Sequence, residues 1–232
     1  MEINLNNTFD FKKITYQVQG WLTENEGHYL YKKAKNVQKN NAIVEIGSWK
    51  GRSTVCLASG AKEGQGAIIY AVDPHQGSDE QQQKGYNEKD TFKEFKFNIQ
   101  TKKVDGFIHA IRETSKEASL KINYPVEFIF IDGLHKYKNV YEDYKLWFPK
   151  VIDGGIMAFH DSLYFLGPML TTAIALCFSG KVKNPKIIDN ITCFQKTNKI
   201  STFERLNNIF FCIYRLFYSL ISFKRLCSSE EM

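Results

Sequence analysis

The sequence offers little that would make a secreted, metal-stapled or membrane-spanning protein. Its five cysteines, Cys56, Cys177, Cys193, Cys212 and Cys227, are odd in number and scattered, and no CxxC or Cys/His pair occurs. That pattern excludes a disulfide framework or zinc site and fits a reducing, cytoplasmic compartment. The opening Met1-Glu2-Ile3-Asn4 has no basic n-region and no apolar h-region, so no signal peptide is expected. A like-charged body is also missing. Of the net +6, nearly all lies between Lys196 and Leu226, where six basic residues face the single acid Glu204. The remainder is close to neutral and lacks the clustered Lys and Arg of a nucleic-acid-reading face. What is present is 43% hydrophobic residues in 232, enough to fill the core of one domain with appendages.

The apolar runs alternate with helical periodicities. Thr23 with Glu26 has capping-box spacing, so a helix is expected from Glu24. Strands are read at Ala42–Ile46, Ala67–Val72, Gly106–Ile111, Val126–Ile131 and Gly155–Phe159. Helices are read at Gly51–Gly60, Asp90–Thr101 and Tyr137–Phe148, with another opening at Gly167-Pro168. Ile187–Ile188 and Thr192–Phe194 flank Asp189-Asn190, a hairpin signal that adds an antiparallel strand at one edge. Together these predict an α/β fold: a doubly wound, mostly parallel sheet over residues 42–197, with an N-terminal arm and helix over 1–41 and a helical tail over 198–232. Ligands in such sheets bind beyond the carboxyl ends of the strands, so the polar residues there are the ones that matter.

Strand one runs into Glu45-Ile46-Gly47-Ser48-Trp49-Lys50-Gly51-Arg52-Ser53. Gly47 permits a tight turn and close ligand approach, the following helix start attracts a carboxylate, and Glu45 could pair with an ammonium. An amino-acid ligand carries both groups. Strand two ends at Asp73, 26 residues after Gly47, near the ~20 expected where such an acid accepts ribose hydroxyls. Thr114-Ser115 either caps the next helix or meets an adenine. Strand four ends in Asp132-Gly133-Leu134-His135 and strand five in His160-Asp161. Asp132, His160 and Asp161 on neighbouring strand ends could hold a divalent ion such as Mg²⁺; the plainer reading makes Asp161 a helix cap and His160 a cleft wall.

Two stretches, Val44-Glu45-Ile46-Gly47-Ser48-Trp49-Lys50-Gly51-Arg52-Ser53-Thr54 and Phe130-Ile131-Asp132-Gly133-Leu134-His135-Lys136-Tyr137, resemble the Rossmann-like class I methyltransferases, in particular the family of macrocin O-methyltransferase and cephalosporin hydroxylase-like proteins, over about Asn41 to Lys196. The resemblance implies transfer of a methyl group from S-adenosylmethionine to a small acceptor, most simply a hydroxyl on a sugar or natural product, with or without Mg²⁺. It implies that Glu45, Gly47, Trp49 and Ser53 hold the methionine end, Asp73 the ribose and Ser115 the adenine, and that Asp132 faces the transfer centre. Acids resembling Asp132 and Asp161 bind Mg²⁺ in the metal-dependent relatives, which usually have Asp where this chain has His160. His135 falls where catechol O-methyltransferase-like relatives carry a lysine base, so it is the candidate catalytic base beside Asp132. Glu113 stands where relatives often have glycine.

Two other function classes fit the sheet. An NAD-dependent oxidoreductase needs G-x-G-x-x-G, whereas here Trp49 takes the middle glycine position. A non-catalytic fold relative that binds a partner would have no use for the strand-end acids. Residues 75–89, polar and rich in Gln, read as a loop near the cleft and a candidate acceptor lid. Residues 203–226 form a long apolar run that Arg215 interrupts and that is too short to span a bilayer. At helical spacing Glu204, Asn208, Arg215, Ser219 and Ser222 form one narrow polar stripe. The wide apolar face is expected to pack on its own domain or a second subunit, the alternative being contact with a membrane surface as a peripheral helix.

Overall fold

The computed structural model describes residues 9–78, 82 and 85–229, with side chains to residue 219. Seven strands build one sheet: β1 Ala42–Ile46, β2 Ile68–Val72, β3 Ile108–Ile111, β4 Val126–Ile131, β5 Val151–Phe159, β6 Val182–Ile188 and β7 Ile191–Lys196. Their order is β3-β2-β1-β4-β5-β7-β6. The first five pair in parallel, and β7 runs antiparallel between β5 and β6. The chain winds outward from β1 to β3 and then crosses back to β4. β1 and β4 therefore flank the switch point, where their carboxyl ends leave a crevice.

Parity divides the core. Ile43, Phe128 and Phe130 point to one face, against Leu30, Val55, Leu57 and Phe95. Val44, Ile129 and Ile131 point to the other, against Val140, Trp147, Phe159 and Leu176. The helices supplying the first layer are α1 Phe11–Ile14, α2 Glu24–Asn36, α3 Arg52–Glu63 and α4 Phe92–Thr101; the second layer has α5 Ser115–Lys121, α6 Tyr137–Trp147, α7 Leu166–Phe178 and α8 Thr202–Ser229. The expected capping box is present: the Thr23 hydroxyl accepts from the Glu26 N–H, and the Thr23 N–H donates to Glu26 Oε2 at 2.8 Å. Phe9, Phe11, Leu22 and Leu30 join the first core layer, so the described part of the N-terminal arm is integral to the domain.

Two elements are longer than the sequence reading. β5 starts at Val151 because Gly154 and Gly155, which look like a strand start, sit inside it at a register shift against β4. The hairpin extends to Val182 and Lys196 despite Pro185, since the β6 register slips between Lys183 and Lys186 on an edge strand that tolerates proline.

The tail departs more. Helix α8 forms, and no helix of the described residues is long and apolar enough to cross a membrane. Its polar stripe faces the domain and its apolar face looks outward, the reverse of the expected packing. Asn208 Nδ2 donates to the carbonyls of Leu176 at 3.3 Å and Val182 at 2.8 Å. Arg215 reaches the Met169 carbonyl at 2.7 Å and the Thr172 hydroxyl, and Ser219 Oγ donates to the Leu163 carbonyl at 2.6 Å. These polar groups bond to backbone carbonyls from Leu163, before α7, to Val182, in β6, so the polar side of α8 is the side that fits the domain. Arg215→Ala should therefore loosen α8 by ~1–3 kcal/mol, seen as faster amide hydrogen exchange across 205–219; unchanged protection there would show that the polar seam does not hold the helix.

Candidate functional site

Register puts the strand-end residues in one row. Ile46 is level with Val72 and Ile131, and Ile131 is level with Phe159. The next residues, Gly47, Asp73, Asp132 and His160, thus stand side by side. Backbone bonds extend the ladder one step to fix them: Gly47 N to Val72 O, Asp132 N to Ile46 O and His160 N to Ile131 O, at 2.8–3.0 Å. Gly47 has φ +87°, and a Cβ on it would lie 2.2 Å from the Asp132 carbonyl oxygen. The two strand ends can meet only over a glycine. Above the row opens a cavity of about 640 Å³, within the usual range for small-molecule sites.

On its β1–β2 side, Asp73 receives the Trp49 N–H on Oδ2 at 2.8 Å and the His75 N–H on Oδ1 at 2.6 Å. Both donors sit in left-handed backbone, at φ +42° and +55°, so the turns after β1 and β2 are bent around this carboxylate. The Trp49 ring stacks on Trp21 at 4.7 Å and meets Tyr86 edge-on. Lys50, buried, joins three separate segments: its Nζ binds Gln19 at 2.6 Å, Glu88 at 2.8 Å and Glu94 at 2.9 Å. The N-terminal arm and the described part of the 75–89 loop are thereby drawn to the rim, where Gln19–Leu22 and Gln76–Ser78 line the cavity. Residues 79–81 and 83–84 of that loop lie outside the described residues.

Ser53 and Ser115 both line the cavity. Ser115 Oγ accepts from Trp147 Nε1 at 2.8 Å, while Thr114 takes the capping role for α5. Asp143 lies behind Ser115, and burial pushes its carboxyl up to about 6, against a lowering hydrogen bond from Ser115. Glu45 is different. It is fully buried and does not line the cavity. The Thr54 hydroxyl donates to its Oε2, and its Oε1 has no partner. A residue one place short of the strand end points into the helix layer, since successive side chains alternate faces. The pairing with a ligand ammonium expected from sequence is thus not a direct contact here. Ser48, by contrast, lines the cavity with a buried hydroxyl that has no partner.

On the β4–β5 side the acids and imidazoles gather. Asp132, His135 and Asp161 each offer one ligand atom, all within 4.8 Å of one another. His135 Nε2 lies 3.2 Å from Asp161 Oδ2, and its ring stacks on Phe165 at 4.3 Å. His160 is not part of this trio. Its Nδ1 is 3.0 Å from Asp132 Oδ1 and its Nε2 is 3.4 Å from Glu26 Oε2. Burial alone would lower the His160 pKa, but the carboxylates of Asp132, Glu26 and Asp161 outweigh it and raise it well above the ordinary value. Both ring nitrogens of His160 already face carboxylates in this arrangement. The geometry thus exchanges the two histidines relative to the sequence reading: His135 joins the acids as a possible ligand and His160 supports Asp132 from behind. Burial also pushes the Asp132 carboxyl up, with His160 opposing.

Three residues of this site had no functional signal in the sequence. Glu26 was fully accounted for as a cap, Lys50 looked like a turn residue, and Ser48 is an ordinary loop serine. Their roles depend on contacts across 31 to 134 positions, which spacing does not encode. Glu45 supplies a pH test. Burial raises its carboxyl from 4.5 to about 7, so the folded form keeps a proton that the unfolded chain has lost. The stability tied to the neutral form is complete below pH 4.5 and falls away as pH rises to 7. Relative to Glu45→Gln, wild-type stability should drop across that window by on the order of 3 kcal/mol. Urea unfolding of both proteins from pH 4.5 to 8 measures it, and parallel pH profiles would mean that Glu45 is already ionised.

With the geometry in place, comparisons with known proteins give it a family. Residues 44–162, which run from within β1 to just past β5 and hold both motif stretches, match the family model described as a methyltransferase domain. Among solved structures, the O-methyltransferase NovP superposes with a TM-score of 0.64 at 13% identity, over 75% of this chain and 80% of that one. TomG from Streptomyces achromogenes, an O-methyltransferase of tomaymycin synthesis solved with SAM, gives 0.59 at 12%, over 84% and 93%. MycE of mycinamycin biosynthesis, solved with Mg, SAH and mycinamycin VI, gives 0.55 at 17%, over 84% of this chain and 58% of that one. At these identities the superpositions speak for the fold, and the match across the motif-bearing half of the chain speaks for descent: the protein belongs to the methyltransferase-domain family and has the class I methyltransferase fold.

Proposed function

We propose that this methyltransferase moves the methyl group of S-adenosylmethionine to a hydroxyl of a small acceptor, a sugar or natural product, with Mg²⁺ at Asp132 and Asp161. The observation that carries this reading is a single cavity with Asp73 on one wall and the Asp132, His135 and Asp161 cluster on the other. The cofactor fits what is there: Ser48 leaves a buried hydroxyl unpartnered at the cavity, and α3 starts without a side-chain cap, which suits a ligand carboxylate. TomG and MycE were solved with SAM and SAH, and MycE also with Mg, which supports the reading.

Gly47, Trp49 and Ser53 would receive the methionine end, Asp73 the ribose and Ser115 the adenine. Glu45 would act on the first of these from behind, through Ser53 and Thr54. The bound cofactor supplies a methyl on a sulfonium, displaced in line, so orientation of the acceptor provides much of the rate. The carboxylates of Asp132 and Asp161 suit a hard divalent ion that retains water, and such an ion would lower the pKa of a coordinated hydroxyl. His135 would take the hydroxyl proton, steadied by Asp161 and by the Phe165 ring. Trp21, Trp49 and Tyr86 at the rim would give the acceptor an apolar face to lie on.

Asp73→Ala should weaken S-adenosylmethionine binding by ~1.5–3 kcal/mol; calorimetry giving wild-type affinity would remove Asp73 from the ribose. EDTA should abolish turnover and Mg²⁺ restore it, and full activity in EDTA would end the metal assignment. His135→Ala should lower turnover by about 10²–10⁴ with cofactor and Mg²⁺ affinities unchanged. Loss of Mg²⁺ affinity in that variant would make His135 a ligand instead of the base.

A further inference from the structure

The tail helix presents an apolar surface that no described residue of the domain covers. Phe203, Leu206, Phe210, Ile213 and Phe217 recur every three or four residues along one side of α8, and all are exposed, Phe203 at 80%, Phe210 at 66% and Phe217 at 62%. Phe178, at the end of α7, is open at 77%. The opposite side is fastened to the domain by Asn208, Arg215 and Ser219. The outward face is therefore not awaiting a turn of the helix: rotation would break that seam and strand a buried guanidinium. An apolar patch held outward by polar anchors marks a contact site.

Charge selects the occupant. From Lys196 onward six basic residues outnumber three acids, Glu204, Glu230 and Glu231, and Glu204 is tied to Ser201 and Lys183. Lys199 and Arg205 are exposed, Arg205 with its guanidinium near Gly180, and Lys224 and Arg225 follow in the sequence. A second copy of the chain would bring the same positive patch to a self-facing, two-fold contact. An anionic headgroup layer brings the opposite sign, and its acyl boundary accepts Phe, Leu and Ile side chains from a helix lying in its plane. We propose that α8 seats this enzyme on an anionic phospholipid surface. The domain would then be carried by a helix lying flat on the bilayer.

Flotation of the full-length protein with vesicles tests it. With equal parts phosphatidylcholine and phosphatidylglycerol at low salt the wild type should float; with phosphatidylcholine alone, or in about 0.5 M NaCl, recovery should fall about tenfold. The triple variant F203S/F210S/F217S alters only outward side chains and should lose flotation while keeping the wild-type thermal midpoint and cofactor binding. The charge variant K199E/R205E leaves the aromatic face intact and should lose most low-salt binding. Absence of wild-type flotation overturns the proposal, as does flotation undiminished in the triple variant. A dimer seen by sedimentation velocity that the triple variant abolishes, with no flotation, would assign the face to a second copy. Methyl-donor affinity, measured in parallel, reports on the catalytic reading separately.

Discussion

The carboxylate of Glu26 holds together parts of the molecule that are far apart in sequence. One oxygen accepts the Thr23 N–H to complete the α2 cap and also faces His160 Nε2; the other accepts the Asn190 N–H in the β6–β7 hairpin at 2.9 Å. Glu26 is 1% exposed, so its charge must be answered where it lies. His160, whose pKa the carboxylates of Asp132, Glu26 and Asp161 raise, faces it across 3.4 Å. The N-terminal helix, the hairpin and the acid at the centre of the site are thus one electrostatic unit. Asp132 is oriented by an imidazole whose own position is set by Glu26. A carboxylate so placed keeps its lone pairs aimed at the cavity before any ligand arrives, which is how a supporting layer of residues makes a site precise.

Lys50 does for the rim what Glu26 does for the floor. Its ammonium is buried yet gathers Gln19, Glu88 and Glu94 and lies 5.0 Å from the Trp49 ring. It makes one bond to the arm, one to the loop and one to α4, so a single buried cation holds the three segments of the rim together.

The sheet was legible because parallel strands are buried on both faces and therefore appear as apolar runs. Val126–Ile131 was found to the residue and Ala42–Ile46 likewise. So was the row of strand-end residues, because register follows from pairing once the order is known. Where the reading failed, the cause was a polar residue with a partner distant in sequence. Glu45 and Asp132 look alike as strand-end acids, yet one position of parity sends the first into the helix layer. His160 was read as a ligand since Glu26, 134 residues earlier, carries no mark of facing it. The tail was inverted because hydrophobic-face reasoning assumes that a helix buries its apolar side. In α8, the carbonyls of Leu163, Met169, Leu176 and Val182 and the Thr172 hydroxyl made the polar side the better partner.

Asp161 carries one more implication. Successive residues of a strand point to opposite faces, yet His160 and Asp161 both address Asp132 and its neighbours. The main chain achieves this by entering the left-handed region at Asp161, φ +53°. Asn, Asp and Gly tolerate that conformation well, and longer side chains do so poorly. Of these three, only aspartate brings an anion. The backbone therefore favours aspartate over glutamate as the acid at this turn, while asparagine would fit the conformation without bringing the charge.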